Sequence, residues 1–530
     1  MTAKLQLYNS WSRRLEPLVP LEAGKLRIYA CGPTVYDYAH IGNFRFNVWV
    51  DILRRTLEWW GYDVTLVMNI TDVDDKTIAG AARCGETLAD YTARFTEAFF
   101  DDLKALRIRP AAHYPRATEH IEEMVALVEV LLAKGLAYEQ DGSFYFRVGA
   151  FPDYGKLSRL DPTQLRATER VEGDEYGKEE ARDFALWKAA KEGEPAWDTA
   201  LGSGRPGWHL ECSALSMKYL GETFDLHLGG VDLIFPHHEN EIAQSAGATG
   251  KALARYWLHC AHLIVDGTKM SKSLGNQYTL RDLTDAGHDP VAIRYLLASV
   301  HYRKRLNFTF AALEQAKAAT ARLAELVLRL EQEMDALPER SPAGEPPGKA
   351  VPAERSPVGE PHGKAAPAER SRAGEPPGGG ATDEGPGSRA LAAARRGFAA
   401  ALADDLNTSG ALGHVFSLVR AANTALDEDR LSRDEGAAIL AWLRSIDTIW
   451  AVLPAADELL ERHLEIDGAR LVAIGPPIAE DAVEMVVARM RARAGRDFAA
   501  ADQLRDRLQE LGITLEDTAQ GVRWHLGEPG

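Results

Sequence analysis

The chain has 530 residues, of which 45% are hydrophobic and 26% charged, a balance typical of a soluble protein with several domains. Its 61 Lys and Arg against 78 Asp and Glu leave a formal net charge of −17, which excludes a protein that coats nucleic acid through a basic surface but permits a local basic face. The four cysteines do not indicate a disulfide framework in so long a chain. Because we find neither a signal peptide nor an apolar run near the roughly 20 residues of a membrane span, we expect a cytoplasmic protein without a membrane partner.

The first predicted unit is a strand followed by a helix. An apolar run around Leu26 and Ile28 predicts the strand, and apolar residues at helical spacing predict a helix over Phe46–Trp60. The segment Cys31–Asn43 joins the two, at the kind of crossing where open α/β sheets bind ligands. A thiol opens the segment, and backbone N–H groups at a helix start favour phosphate. We therefore expect this turn to serve both a metal-bound substrate and a nucleotide.

A second strand is predicted over Asp63–Ile70. The acidic segment Thr71–Asp75 that follows should lie at the carboxyl edge of the sheet, beside the first turn. Its carboxylates either hold Mg²⁺ or cap the next helix, and the sequence leaves both interpretations open.

Residues 111–205 are predicted to form an insertion in the sheet domain, because an amphipathic helix is followed by short alternating runs and a polar, glycine-bearing stretch. Residues 206–290 return to the sheet domain and contain most of the remaining motifs. The predicted elements there are a helix opened by Pro206–Cys212, a strand over Phe224–Phe235 with a glycine break, a helix opened by Pro236–Glu241, and a strand at His262–Val265 that runs into the polar loop Asp266–Ser273.

The last part of the chain is predicted to be mainly helical. Residues 291–336 and 389–475 predict a helical bundle, interrupted at 337–388 by a Pro- and Gly-rich segment in which Glu-Arg-Ser recurs every 15 residues. Such a segment buries too little apolar surface to offset its chain entropy, so we expect it to be disordered. Residues 480–511 predict an arginine-rich helix and 512–524 a small strand pair. The arginines are either a solvated face or an RNA contact.

Four side chains have the chemistry that zinc prefers, which is thiolate, imidazole and carboxylate. Cys31 lies in the first turn, Cys212 in the helix after the insertion, and His237 and Glu241 four residues apart on one predicted helix face. His238 should point away from that face and either support a ligand or simply pack. Because Cys31 and Cys212 are 181 residues apart and buried structural thiols are common, the spacing alone leaves a metal site and a packed core both open.

Two further segments indicate a nucleotide site. His40-Ile-Gly-Asn43 precedes the first predicted helix, and Lys269-Met-Ser-Lys-Ser273 places two lysines and two hydroxyls in one loop. Lysine acts in such a loop as a point charge on developing pyrophosphate. Either motif alone is weak, but one lies near the start of the sheet domain and the other near its end, which favours a shared ATP site.

These motifs together resemble the cysteinyl-tRNA synthetase family of class I aminoacyl-tRNA synthetases. His40–Asn43 is similar to the first class I signature, and Lys269–Ser273 matches the second. The resemblance extends through Asn69–Lys76, Gly207–Ser213, Phe235–Gln244, His301–Arg303, Asp404–Thr408 and Asp497–Thr518. It therefore covers nearly the whole chain outside 337–388.

The resemblance implies an α/β fold with a Rossmann-type parallel-sheet catalytic domain, an inserted connective domain, an α-helical bundle and a small α+β C-terminal domain. The implied parts are the catalytic domain in two halves (1–110 and 206–290), the connective insertion (111–205), the helical bundle (291–336 and 389–475), and an anticodon-binding domain (476–530). The insert at 337–388 is not part of the family pattern, so we expect it to be dispensable.

The resemblance also implies the roles of individual residues. One zinc ion per chain is held by Cys31, Cys212, His237 and Glu241. ATP is bound by His40, Gly42, Asn43, Asp232, Lys269 and Lys272, of which His40, Asn43, Lys269 and Lys272 are catalytic. Thr71 and Trp208 contact the amino acid.

The implied reaction joins L-cysteine to tRNA(Cys) by way of cysteinyl-adenylate, using ATP with Mg²⁺. Asn43 departs from the family pattern, since many class I enzymes carry His there, and Asn can donate a hydrogen bond to phosphate but carries no charge. An alternative family with similar activation chemistry, a cysteine ligase of mycothiol biosynthesis, acts on an amino-sugar and lacks the anticodon-reading end. A zinc-dependent RNA-binding protein without enzyme activity is a further alternative, against which the intact Lys269–Ser273 argues.

Overall fold

The computed structural model describes residues 4–159, 183–271, 274–334, 337–339, 385–453, 460–466, 469–475, 479–518 and 521–526. The chain forms two compact units, one of Met1–Thr320 with Leu337–Ala451 and one of Ala321–Ala336 with Val452–Gly530. Within the described residues, no helix is both long enough and apolar enough to cross a bilayer. Most of the segment predicted to be disordered, residues 340–384, lies outside the described residues.

The strands and helices are numbered here in chain order. The strands are β1 (Gln6–Asn9), β2 (Arg14–Pro17), β3 (Lys25–Ala30), β4 (Asp63–Met68), β5 (Ala137–Gln140), β6 (Ser143–Phe146), β7 (Phe184–Ala189), β8 (Trp197–Thr199), β9 (Gly202–Pro206), β10 (Phe224–Gly230), β11 (Ala254–Cys260), β12 (Leu263–Val265), β13 (Thr268–Lys269), β14 (Leu306–Phe308), β15 (Leu460–Ile466), β16 (Ala469–Gly475), β17 (Ile513–Thr518) and β18 (Gly521–Leu526). The helices are α1 (Ile41–Trp59), α2 (Asp75–Cys84), α3 (Leu88–Ala105), α4 (Ile121–Ala133), α5 (Trp208–Leu220), α6 (Glu239–Thr249), α7 (Leu280–Asp285), α8 (Pro290–Ser299), α9 (Phe310–Glu333), α10 (Pro386–Ala403), α11 (Thr408–Asp427), α12 (Arg433–Trp450), α13 (Glu480–Ala494) and α14 (Phe498–Glu510).

A parallel sheet with strand order β11-β10-β3-β4 lies at the centre of the larger unit. The chain places β4 on one side of β3 and, after the insertion, returns to place β10 on the other side. The order therefore reverses between β3 and β10, and their carboxyl ends form the crevice in which open α/β sheets bind ligands. This arrangement confirms the predicted α/β class and places Cys31, the residue after β3, at that crevice.

Helix α1 begins where the sequence predicted the nucleotide-binding turn. Its N-cap is His40, whose side chain accepts a hydrogen bond from the Asn43 N–H while the Asn43 side chain accepts from the His40 N–H. Its inner face buries Val48, Ile52 and other apolar side chains completely, and each such burial contributes roughly 1.5–3 kcal/mol. The helix is thereby fixed against the sheet, and its N-terminus is held at the crevice.

The inserted segment forms an antiparallel sheet with strand order β5-β6-β7-β9-β8. Helix α4 packs on this sheet, and their shared core includes Phe146, Leu186 and Trp187. The residues Ala185–Lys188 are all buried in β7. Lys188 forms an ion pair with Asp75, the first residue of α2, at 3.0 Å.

The C-terminal part differs from the prediction in one respect. Residues 460–466 and 469–475, predicted as the end of the helical bundle, form strands β15 and β16 in a sheet with order β15-β16-β18-β17. The reason is visible in Leu460-Glu-Arg-His-Leu-Glu-Ile466, where apolar residues at 460, 464 and 466 occupy alternate positions, the period of a strand. The strand pair predicted within 512–524 is confirmed as β17 and β18.

Two helix boundaries also differ. The helix predicted over 480–511 is divided into α13 and α14, with Arg496 between them at a φ of 60°. Helix α6 begins at Glu239 rather than at Pro236, because the backbone of Phe235 is extended and a separate turn spans Ile234–His238.

Candidate metal centre and nucleotide site

The four predicted zinc ligands lie on three elements that meet at the crevice. Cys31 follows β3 directly, and its N–H donates to Leu228 O of β10 at 3.1 Å, which fixes the thiol relative to the neighbouring strand. Cys212 lies in the first half of α5, while His237 lies in the turn before α6 and Glu241 in its first turn. All four side chains are buried.

The structure brings these four side chains together. Their ligand atoms all lie within 4.8 Å of one another. Glu241 Oε1 is 3.1 Å from His237 Nε2 and 3.8 Å from Cys31 Sγ. Two thiols, one imidazole and one carboxylate at this separation are a donor set that suits zinc.

The side chains of this cluster shift one another's pKa values. Burial raises the pKa of the Cys212 thiol, but its hydrogen bond with Cys31 and the charge of His237 outweigh burial and lower that pKa to about 6. Burial lowers the pKa of His237, but the negative charges of Cys212 and Glu241 outweigh it and raise that pKa to about 10. The pKa of Glu241 lies well below its usual value, because His227 and His237 outweigh its burial. The negative charges of Cys212 and Glu241 thus favour a positive charge at this position.

Three histidines that the sequence did not assign surround the cluster. His209 Nδ1 lies 2.8 Å from His237 Nδ1, and His227 Nε2 lies 2.7 Å from Glu241 Oε2. His259 Nε2 lies 2.9 Å from Nδ1 of His238. Metal-binding histidines and carboxylates are commonly oriented by such outer hydrogen bonds. In the sequence these histidines are single residues within apolar strands or a helix start, so no spacing distinguished them.

His238, predicted to support a ligand or pack, is buried and close to the cluster. Its Nε2 lies 3.3 Å from Cys31 Sγ. Together with His227 it also forms a second group, with Cys31 and Glu241, whose ligand atoms lie within 4.8 Å of one another. Because the two groups share Cys31 and Glu241, they describe one cavity with six donors rather than two separate sites.

The proposed amino-acid contacts lie beside this cluster. The Trp208 ring lies 4.4 Å from that of His237 and is 41% exposed. Thr71 is buried, and its Oγ1 donates to Glu211 Oε2 at 2.9 Å. A Cβ on Gly32 would lie 1.6 Å from Asn69 O, so only glycine lets the Cys31 turn approach the turn that carries Thr71.

The acidic segment after β4 mainly holds its own loop. Asp74 caps α2 by accepting from the Lys76 N–H at 2.9 Å, and Asp72 accepts from the Thr118 hydroxyl at 2.6 Å. Asp75 is paired with Lys188 and Arg205. These partners favour the capping interpretation over a Mg²⁺ site.

The two nucleotide-binding segments lie against each other. The Ile41 N–H donates to Tyr278 O at 2.9 Å, and a Cβ on Gly42 would lie 2.8 Å from Met270 Cε. Lys269 lies in β13, paired with Ile264 of β12, whereas Lys272 lies outside the described residues.

Asn276, which the sequence analysis did not identify, forms hydrogen bonds with the second nucleotide-binding segment and the residue before it. Its Oδ1 accepts from the Ser271 N–H at 2.9 Å, and its Nδ2 donates to Thr268 Oγ1 at 3.2 Å and to Lys269 O at 3.3 Å. Asp232 lies in the turn directly after β10, with its side chain 55% exposed at the crevice. The predicted ATP residues that the structure describes therefore lie at one edge of the sheet.

The fold is shared with solved synthetase structures. Methionyl-tRNA synthetase of Mycobacterium tuberculosis in complex with methionyl-adenylate matches with a TM-score of 0.55 and 15% identity, over 81% of this chain and 92% of that chain. The leucyl-tRNA synthetase of Agrobacterium radiobacter in its ternary complex matches with a TM-score of 0.55 and 11% identity, over 97% of each chain. Residues 17–318 match the family of tRNA synthetases class I (C) catalytic domain. The fold and these residues define a class I aminoacyl-tRNA synthetase.

The remaining comparisons identify the particular family. Residues 397–453 match the DALR domain, and residues 476–524 match the cysteinyl-tRNA ligase anticodon binding domain. The cysteine–tRNA ligase of Solibacter usitatus is 46% identical over 521 residues, covering 98% of this chain and 99% of the relative. That of Koribacter versatilis is 44% identical over 535 residues, with the same coverage. The chain belongs to the cysteine–tRNA ligase family, as its motifs predicted.

Proposed function

We propose that this chain activates L-cysteine with ATP to form cysteinyl-adenylate and transfers the cysteinyl group to tRNA(Cys). The observation that carries the proposal is the convergence of Cys31, Cys212, His237 and Glu241 within 4.8 Å, at the same sheet edge as the two nucleotide-binding segments. On this proposal, the amino-acid site and the ATP site would lie side by side.

Zinc fits the cluster by the chemistry of its donors. Cys31, Cys212, His237 and Glu241 would hold it, and His209 and His227 would orient two of these ligands. A divalent cation would also balance the negative charge of the buried carboxylate and thiolates. When bound, zinc would accept the thiolate of the substrate as a further ligand beside these four side chains.

This arrangement explains how cysteine could be selected. A packing pocket distinguishes side chains of nearly equal size by only ~1–3 kcal/mol, which is too little for accurate translation without editing. Alanine has no ligand atom and the serine hydroxyl is a poor zinc ligand, so metal recognition rejects both at the binding step. Trp208 would form one wall of the pocket, and Thr71 would help to position the amino acid.

Activation then requires ATP bound beside the amino acid. The cysteine carboxylate attacks the α-phosphate of Mg-ATP, the bond to the β-phosphate oxygen breaks, and pyrophosphate leaves. The residues we assign to ATP are His40, Gly42, Asn43, Asp232, Lys269 and Lys272. His40, Asn43, Lys269 and Lys272 would stabilise the charge that develops on the phosphates, and Asp232 would accept hydrogen bonds from the ribose hydroxyls.

Asn43 has a local role in the cap of α1. Its Oδ1 accepts from the His40 N–H at 3.0 Å and so completes the reciprocal capping contacts of His40 and Asn43. Its Nδ2 would remain available to phosphate.

In the second step, a hydroxyl of the terminal adenosine of the tRNA attacks the adenylate carbonyl and AMP leaves, with no protein nucleophile involved.

The acceptor of cysteine is assigned to tRNA rather than to an amino-sugar by the C-terminal end of the chain. Residues 476–524, which match an anticodon binding domain, would be superfluous in a ligase that acts on an amino-sugar.

Two assays on the zinc-loaded chain test the proposal. ATP–pyrophosphate exchange should depend on cysteine, and tRNA(Cys) should be charged while an amino-sugar is not. Exchange without charging of tRNA(Cys) would refute the second half of the proposal. Absence of cysteine-dependent exchange would refute the whole.

A further inference from the structure

The connection between α10 and α11 contains a buried carboxylate on a strained backbone. Asp405 is 2% exposed, and both Asp405 and Leu406 adopt positive φ values, 53° and 54°. Side chains other than glycine rarely adopt this left-handed conformation, and such outliers persist only where the surrounding contacts enforce them. The contacts of Asp405 therefore indicate which interactions stabilise this backbone conformation.

Asp405 joins three distant segments of the larger unit. Its Oδ1 accepts from the Tyr8 N–H at 2.8 Å and from the Tyr302 hydroxyl at 2.7 Å. Its Oδ2 accepts from Arg303 Nε at 2.6 Å, and its own N–H donates to Gln6 O at 3.0 Å. The carboxylate thus fixes the turn at His301–Lys304 to the bundle helices on one side and to the N-terminal hairpin on the other.

The turn at His301–Lys304 in turn supports helix α1. Arg45 of α1 is 1% exposed, and its Nη2 donates to His301 O at 3.2 Å and to Lys304 O at 2.8 Å. The Trp49 ring, one turn further along α1, stacks on Tyr302 at a centroid distance of 4.7 Å. Because His40 caps the same helix, the position of the first ATP-binding segment depends on this turn.

The same turn supports the second ATP-binding segment. The Ala261 N–H donates to Tyr302 O at 2.7 Å, and the Leu306 N–H donates to His262 O at 3.3 Å. Strand β12, which follows directly, pairs with β14 on one side and with β13, which carries Lys269, on the other. Both ATP-binding segments are therefore supported by the turn at His301–Lys304. Asp405 holds that turn through its hydrogen bonds with Tyr302 and Arg303.

We infer that Asp405 is a positioning residue for the activation step, acting through Tyr302 and Arg303 on the two ATP-binding segments. This inference rests on the proposed function. The expected effect is selective, because small misplacements of reacting groups reduce the rate steeply. The hydrogen bonds of the Asp405 carboxylate go to Tyr8, Tyr302 and Arg303, none of which carries a proposed zinc ligand. Loss of the carboxylate should therefore lower kcat and leave the KM for cysteine unchanged.

Cysteine-dependent ATP–pyrophosphate exchange by the full-length zinc-loaded chain, normalised by active-site titration of adenylate, tests this inference. Asp405→Asn preserves size and tolerance of the left-handed backbone but removes the charge and one acceptor. We expect its kcat to fall about tenfold with the KM for cysteine unchanged within about twofold. Asp404→Asn, a change of the same kind at the exposed neighbouring position, should match the wild type.

A second variant keeps the test decisive if Asp405→Asn folds poorly. Tyr302→Phe removes one donor to Asp405 and leaves the strained backbone intact, and it should lower kcat in the same selective way. If Asp405→Asn folds, wild-type kcat in both variants would overturn the inference while the proposed function stood. If it does not fold, wild-type kcat in Tyr302→Phe alone would overturn it. A wild-type chain without cysteine-dependent exchange would overturn the proposed function instead.

Discussion

His209 Nδ1 lies 2.8 Å from His237 Nδ1, so a hydrogen bond between two imidazoles fixes the ring of one proposed zinc ligand. The other nitrogen of His237, Nε2, is thereby directed at Glu241 Oε1, 3.1 Å away. This contact would orient the proposed ligand, and the relationship can be tested by substitution.

Replacement of His209 by Ala should weaken zinc binding by about 10–100-fold, since a metal-binding histidine loses the partner that fixes its orientation. Competition for zinc with a chromophoric chelator measures this directly. The exposed His414, replaced by Ala, serves as a control and should bind zinc like the wild type. Equal zinc affinity in the two variants would contradict an orienting role for His209.

Cys212→Ser should raise the KM for cysteine and reduce the rejection of serine, because an alcohol is a much poorer zinc ligand than a thiolate. The measurement is the ratio of kcat/KM for cysteine and serine in pyrophosphate exchange, alongside zinc content. Cys84→Ser, at an exposed cysteine, is the matched control. Unchanged selectivity in Cys212→Ser would refute zinc as the reader of the substrate.

Lys272→Ala should slow adenylate formation far more than it weakens cysteine binding, because a lysine on the pyrophosphate stabilises charge that develops only as the bond to the leaving group breaks. Single-turnover kinetics with saturating cysteine and ATP separate these steps. Lys251→Ala, which removes an exposed lysine paired with Glu222, should leave both unchanged. A normal adenylation rate in Lys272→Ala would exclude the proposed role.

Asp51→Ala should destabilise the larger unit by about 3–5 kcal/mol, because it leaves a buried arginine without its counter-charge. Asp51 Oδ2 accepts from Arg294 Nη2 at 2.6 Å and from Arg55 Nε at 2.8 Å, and Arg294 is fully buried. Urea unfolding gives the change in free energy. Glu222→Ala, which breaks an exposed pair, should cost less than about 1 kcal/mol, and equal losses in the two variants would contradict this account.

The free energy of unfolding should depend on pH because of the buried carboxyl group of Asp102. Burial raises its pKa from 3.8 to about 6, although the charge of Arg281 opposes the shift, and Oδ2 has no hydrogen-bond partner among the described residues. The folded state therefore binds this proton more tightly than the unfolded state. Its contribution is most favourable below about pH 4 and is lost as the pH rises through 6.

Asp102→Asn should accordingly be more stable than the wild type at pH 8, by about 1–2 kcal/mol, and differ less at pH 5. Urea unfolding of both proteins at the two pH values measures the difference. A variant whose advantage is the same at pH 5 and pH 8 would show that Asp102 does not titrate in this range.

The sequence predicted the parts of the fold that depend on local pattern. The strand before Cys31, the helix over Phe46–Trp60 and the strand pair within 512–524 follow from apolar periodicity, and all three are present, although the helix begins earlier, at Ile41. The strands at 460–475 were missed, because a short alternating run of charged and apolar residues also satisfies part of a helical pattern.

The site was predictable only in part. The four-residue spacing of His237 and Glu241 predicted their proximity, although His237 lies in the turn before α6 rather than in the helix. The approach of Cys31 to Cys212 depends on β10 lying beside β3, which no local pattern specifies. The orienting role of His209 was not predicted either, because a lone histidine at the start of a helix carries no signal until its partner's position is known. These contacts are determined by which strands and helices lie side by side in the folded chain, and the types of the residues do not reveal that.

The hydrogen bond from the Cys31 N–H to Leu228 O has a consequence for the engineering of this chain. Successive side chains of a strand point to opposite faces, so deleting one residue from β3 would either turn the thiol out of the cavity or break its alignment with β10. Length can be altered in surface connections, where closing a longer loop costs little. If the proposed zinc site selects the substrate, selectivity in this enzyme would thus depend on the number of residues in β3 as well as on the identity of the residues that surround the amino acid.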